Sequence, residues 1–171
     1  MLGEPRDDRA AASEEDLLDE LCARGRVLAE DLSRAARGRQ DIVPSFVLVG
    51  CGPEDLLVQL PGWDDEVKAG FLSTDLPAAV ADLRPWALVS VTAVRGAVAP
   101  DGDDRRPGAH EDREDGVMVS ACIGRRTRCD VARLRRRRLR APRLVGWTTM
   151  QAAAGPWEDA LAAALEGGAP P

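Results

Sequence analysis

Short extended-type runs, each closed by a glycine-rich turn, constrain this chain more than any other feature. Residues 42–49 form an apolar run of strand type. Gly50-Cys51-Gly52-Pro53-Glu54-Asp55 then turns the chain into a second run at 56–60, closed by Pro61-Gly62. Residues 117–123 and 128–134 repeat the arrangement across Gly124-Arg125-Arg126-Thr127. Between the hairpins, 86–95 is the longest strand candidate, and 144–149 reads as a last strand. Strands joined by hairpins run antiparallel. Pro44 cannot donate to a ladder and points to an edge position for the first strand.

Three segments carry helical spacing. Ser13 is placed as an N-cap with Asp16 three residues on, and Leu17, Leu21, Leu28, Leu32 and Ala35 make one apolar stripe to about Arg37, with Gly38 at the C-terminal cap position. Residues 63–83 hold Val67, Phe71, Leu76, Val80 and Leu83 near one face. Pro77 predicts a kink or a restart capped by Asp75, and Pro85 stops the helix. Pro156 opens a last short helix, to about 165. Together these elements predict an α+β fold: a largely antiparallel sheet of about five or six strands, with helices packed mainly on one face. Residues 13–166 form one domain in this reading, with 1–12 an acidic flexible tail and 167–171 a second loose end.

Six aromatic residues (Trp63, Trp86, Trp147, Trp157, Phe46 and Phe71) and no tyrosine leave the core to Leu, Val and Ala, which bury less area each. The tryptophans read as packing anchors. No apolar run reaches membrane-spanning length, and residues 1–20 lack the basic-then-apolar order of a signal peptide. Cys22, Cys51, Cys122 and Cys129 are too few and scattered for a disulfide scaffold. The bacterial cytoplasm is the expected setting, with no membrane partner, no cofactor and no bound metal.

Charge is distributed unevenly. Residues 124–143 hold ten arginines and one acid, Asp130, a net of +9. The remainder carries 13 basic and 28 acidic residues, a net of −15 within the overall −6. Arg133, Arg135, Arg136, Arg137, Arg138, Arg140 and Arg143, expected on a connector at 135–142, offer guanidinium forks suited to phosphate. The plainer reading is a solvated connector in an arginine-biased chain, since Lys68 is the only lysine beside 22 arginines. The stretch has no aromatic side chain for base stacking and no framing nucleic-acid motif, so nucleic acid stands second as a partner.

Gly96 to Gly116 is a polar, mainly acidic loop of a length that argues for use. His110, the only histidine, sits there among Asp101, Asp103, Asp104, Glu111, Asp112, Glu114 and Asp115, a set that could serve a hydrolase or a metal-dependent enzyme. Arg105, Arg106 and Arg113 alternate with the acids and would compete with a cation, which favours a solvated loop. Cys51, at a turn, is a candidate nucleophile only if His110 reaches it. Cys122 and Cys129 lie directly opposite if the turn has four residues. A two-residue turn pairs Cys129 with Ser120 instead. Ser90, Thr92, Ser120 and Thr148 fall within strands and form no nucleophile elbow.

Pro107-Gly108-Ala109-His110-Glu111-Asp112-Arg113-Glu114-Asp115, followed by Val117-Met118-Val119, resembles a family of bacterial proteins with a Pro-Ser-Glu-His-Pro-Asp-Arg-x-Glu loop between two strands. Pro107, His110, Asp112 and Arg113 match; Gly108, Ala109 and Glu111 replace the Ser, Glu and second Pro. The resemblance implies no established activity. Asp112 and Arg113 are expected to anchor the loop's return to the sheet. The sequence reading settles on a non-catalytic binding or interaction protein that uses the 96–116 loop, the arginine connector or an exposed sheet edge toward another protein or a second copy.

Overall fold

The computed structural model describes residues 13–36, 42–60, 62, 64–96, 114–137, 140–150 and 156–167. Helix α1 spans Glu14–Ala35, and its start is the capping box read from the sequence. The Asp16 amide donates to Ser13 Oγ at 3.1 Å while the Ser13 amide donates to Asp16 Oδ2 at 3.1 Å. Strands β1 (Ser45–Val49) and β2 (Leu56–Gln59) form the first hairpin. A continuous helical stretch follows as α2 (Asp65–Gly70), a π-helical turn (Phe71–Asp75) and α3 (Leu76–Leu83). Strands β3 (Ala87–Gly96), β4 (Glu114–Ile123), β5 (Arg126–Arg137) and β6 (Arg140–Met150) come next, and α4 (Pro156–Gly167) closes the described chain. The six strands make one antiparallel sheet in the order β2-β1-β3-β4-β5-β6. The fold is α+β, as expected.

Four local expectations are corrected. Helices cover both faces of the sheet. Leu18, Leu21, Cys22 and Ala29 of α1 pack with Val89, Val91, Val117 and Val119, whereas α3 and α4 pack Leu76, Val80, Leu161 and Leu165 against Phe46, Leu48, Leu88 and Cys122. Neighbouring residues such as Leu88 and Val89 are therefore both buried, which is why 86–95 reads as a continuous apolar run. Strand β1 is interior, because it starts one residue after Pro44. That proline stops the ladder on its donor side just beyond the strand, while its carbonyl still accepts from the Leu60 amide at 3.0 Å.

Pro77 brings no restart capped by Asp75. Asp75 is helical and makes no capping hydrogen bond, and the π turn just before Pro77 widens the helix, with the Leu76 amide reaching Phe71 O. Finally, the basic stretch is not a loop: β5 runs to Arg137 and β6 begins at Arg140. The strands also extend to Gly96 and from Glu114, so the acidic connection shortens to 97–113, which lies outside the described residues.

Helix α1 meets the sheet closely at Gly25. A β-carbon there would fall 2.3 Å from Val119 Cγ1 and 2.9 Å from Val89 Cγ1. Valine side chains are stiff about χ1 and cannot swing away cheaply. Gly25→Ala gains about 1 kcal/mol of helix propensity and loses about 1–3 kcal/mol to overpacking. The variant is expected to unfold at lower denaturant concentration with an unchanged m-value, and a higher midpoint would show that the helix can lift off without loss.

Candidate anion-binding surface

The described arginines of 124–143 separate into distinct populations. At the turn end of the β4–β5 hairpin they are used internally. Arg125 pairs with Glu166, whose carboxyl is held below its ordinary range by the hydrogen bond from Arg125. Arg126 pairs with Glu14 at 3.1 Å and Arg128 with Asp19. These contacts tie α4 and the first turns of α1 to β5. Arg136 is also held, donating from Nε to Asp115 Oδ2 at 3.1 Å.

The other end of β5 is different. Leu134 packs into the core beneath α1, so alternation along the strand puts Arg133 and Arg135 on the opposite face. Register places Val145 opposite Arg133, Arg143 opposite Arg135 and Arg140 opposite Arg137. Arg133, Arg135, Arg140 and Arg143 are all exposed. Among the described residues, no ion pair involves Arg135, Arg140 or Arg143. Like charges directly across a ladder repel, and this strand end sets Arg135 against Arg143. Asp115, Arg133, Leu134 and Arg135 line an open depression of about 140 Å³ beside it.

Of the arginines expected to bind, Arg138 lies outside the described residues and Arg137 is described through its backbone only. His110, Asp112 and Arg113 lie outside as well, and with them the loop anchor and the histidine-centred site. Cys51 sits in the turn after β1, its Sγ donating to Leu48 O at 3.5 Å. Burial and the Asp55 carboxylate raise its pKa, the opposite of what a nucleophilic thiolate needs. Among the described residues, no three His, Cys, Asp or Glu side chains are placed to hold a metal ion.

The second hairpin takes the two-residue turn, with Ser120 opposite Cys129 and Thr127 opposite Cys122. Ser120 Oγ lies 3.3 Å from Cys129 Sγ, and all four cysteines are free thiols. Burial pushes Cys22 and Cys122 up to about 12. Both remain neutral at pH 8 and are shielded, so iodoacetamide is expected to modify Cys51 well before either of them. Peptide mass mapping checks this, and equal labelling in the native chain would contradict it.

One further ionic group is not evident from local pattern. Asp130, the lone acid of the basic stretch, is fully buried. Arg26 of α1 grips Oδ2 through Nε at 2.7 Å and through its terminal nitrogen, and Thr149 Oγ1 donates to Oδ1 at 2.7 Å. The Arg26 guanidinium also lies 5.7 Å from the Trp147 ring centroid. This group docks α1 onto β5 and β6. Removing the arginine alone strands a buried carboxylate, at a cost of about 3 kcal/mol in such pairs, whereas replacing both partners by apolar residues is often near neutral. Arg26→Leu is thus expected to lower the urea midpoint sharply, and Arg26→Leu with Asp130→Val to recover most of the loss. A double variant as unstable as the single would refute the docking role.

Comparison with protein-family models, with curated proteins and with solved structures finds no match to this chain.

Proposed function

We propose that this is a non-catalytic binding protein that holds an anionic partner at the arginine-bearing end of β5 and β6. The observation that carries the reading is the exposed Arg135–Arg143 pair, directly opposite on one face and, among the described residues, in no ion pair. Two fixed cations in that arrangement repel each other until an anion lies between them, so ligand binding relieves a cost already present in the free fold. Guanidinium pairs favour phosphate or clustered carboxylate over a single weak acid. The one aromatic side chain on β6, Trp147, packs against the core under α1, so among the described residues bases have no stacking platform on this strand, and contact runs through backbone charge.

The bacterial cytoplasm is part of the same proposal. Four free thiols support a reducing compartment, and among the described residues no helix is long and apolar enough to cross a membrane.

Fluorescence anisotropy with a short random duplex and with a polyglutamate peptide tests the reading. The parent chain is expected to bind at least one probe at low salt. Arg135→Ala with Arg143→Ala should weaken that binding about tenfold, and on duplex it should lower the salt slope by about two, since each lost phosphate contact removes about 0.9. Arg126→Ala, at the paired end, should leave affinity unchanged. No binding to either probe at low salt, or equal loss from Arg126→Ala, overturns the reading.

A further inference from the structure

The two edges of the sheet are built differently. Strand β6 carries several devices that discourage another strand from pairing with it. Between the pairs Val131–Thr148 and Arg133–Val145, β5 advances two residues and β6 three, and the same happens between Arg135–Arg143 and Arg137–Arg140. Both bulges therefore lie in β6. The first holds Gly146 at φ +68° and the second holds Pro142, with Arg140 and Arg143 exposed alongside.

Strand β2 has none of these. Leu56-Leu57-Val58-Gln59 contains no charge, no proline and no bulge, and its register with β1 is regular over four pairs. Leu56 and Leu57, on opposite faces, are 42% and 46% exposed. The Leu60 amide bonds to Pro44 O, which fixes the phase of the ladder. Hydrogen-bonded pairs alternate in an antiparallel ladder, so Val58 and Leu56 exchange bonds with β1 while Leu57 and Gln59 turn their backbone N–H and C=O outward.

We infer that β2 is a self-association edge, which pairs antiparallel with β2 of a second copy about a two-fold axis at Leu57. That register is self-complementary. Leu57 meets its own counterpart, and Leu56 meets Val58. Charge agrees with it: Glu54 and Asp55 fall opposite Leu60 and Gln59 of the second copy, so no carboxylate faces another across the axis. Four residues per strand bury less than the roughly 1,200 Å² of a standard stable interface, so the dimer is reversible and concentration-dependent.

Sedimentation velocity over a concentration series tests this, on the parent chain and on two variants whose folding is checked by circular dichroism. Leu57→Pro removes an outward N–H without touching the β1 ladder, and Leu57→Lys places a charge on the axis. The parent's weight-average mass is expected to rise toward twice that of one chain, and both variants should stay at one chain's mass. A parent that remains monomeric at the highest soluble concentration overturns the inference. So does association that the folded variants retain, including one abolished only by added salt, which would reflect contact between the acidic and arginine-rich segments instead.

Discussion

The seating of α1 on the sheet governs the arrangement of everything else. Gly25 brings the helix backbone against Val89 and Val119, closer than any side chain would allow. The residues on either side of it reach in opposite directions. Arg24 pairs with Asp55 at the β1–β2 end, and Arg26 pairs with Asp130 under β5. A helix held at one point could roll about its axis; one held at the centre and on both flanks cannot. Ser33 extends the restraint by donating to Pro142 O on β6 at 2.8 Å. With α1 fixed, Leu134 must face inward and Arg133 and Arg135 outward, so the exposed arginine face follows from where a glycine sits 108 residues earlier in the chain.

This arrangement also explains why net charge is a poor guide to the basic stretch. Arg125, Arg126, Arg128 and Arg136 are spent on Glu166, Glu14, Asp19 and Asp115. They belong to the architecture, joining elements remote in sequence. What is left for a partner is a few side chains gathered at one end of two strands. A local patch of that size acts within about 10 Å at ordinary salt, so the acidic remainder of the chain does little to cancel it at contact range.

Much of the fold was legible because it depends on local pattern. The capping box at Ser13 and Asp16, the apolar stripe of α1, both hairpins and the antiparallel sense come from residues near one another in the chain. The failures share a different cause. Arginine runs read as polar loop, because alternation is invisible when both faces carry charge, and only Leu134 between Arg133 and Arg135 hints at a strand. Which faces the helices cover depends on chain direction after each strand, which periodicity does not encode. Asp130 could be singled out as the odd acid among arginines, but its partner Arg26 lies 104 residues away. Gly25 could not be recognised at all, since a helical glycine means close packing only when the surface beneath it is known.

Strand order has a geometric consequence. Four strand spacings of about 4.8 Å separate β2 from β5, so the β2 edge and the arginine face stand roughly 19 Å apart. Two copies joined through β2 would hold their cationic ends about 40 Å from each other, pointing away from the joint. A compact anion could then visit only a single end, while an extended one bridging that span would gain from tethering, its second contact forming at the high effective concentration set by the first.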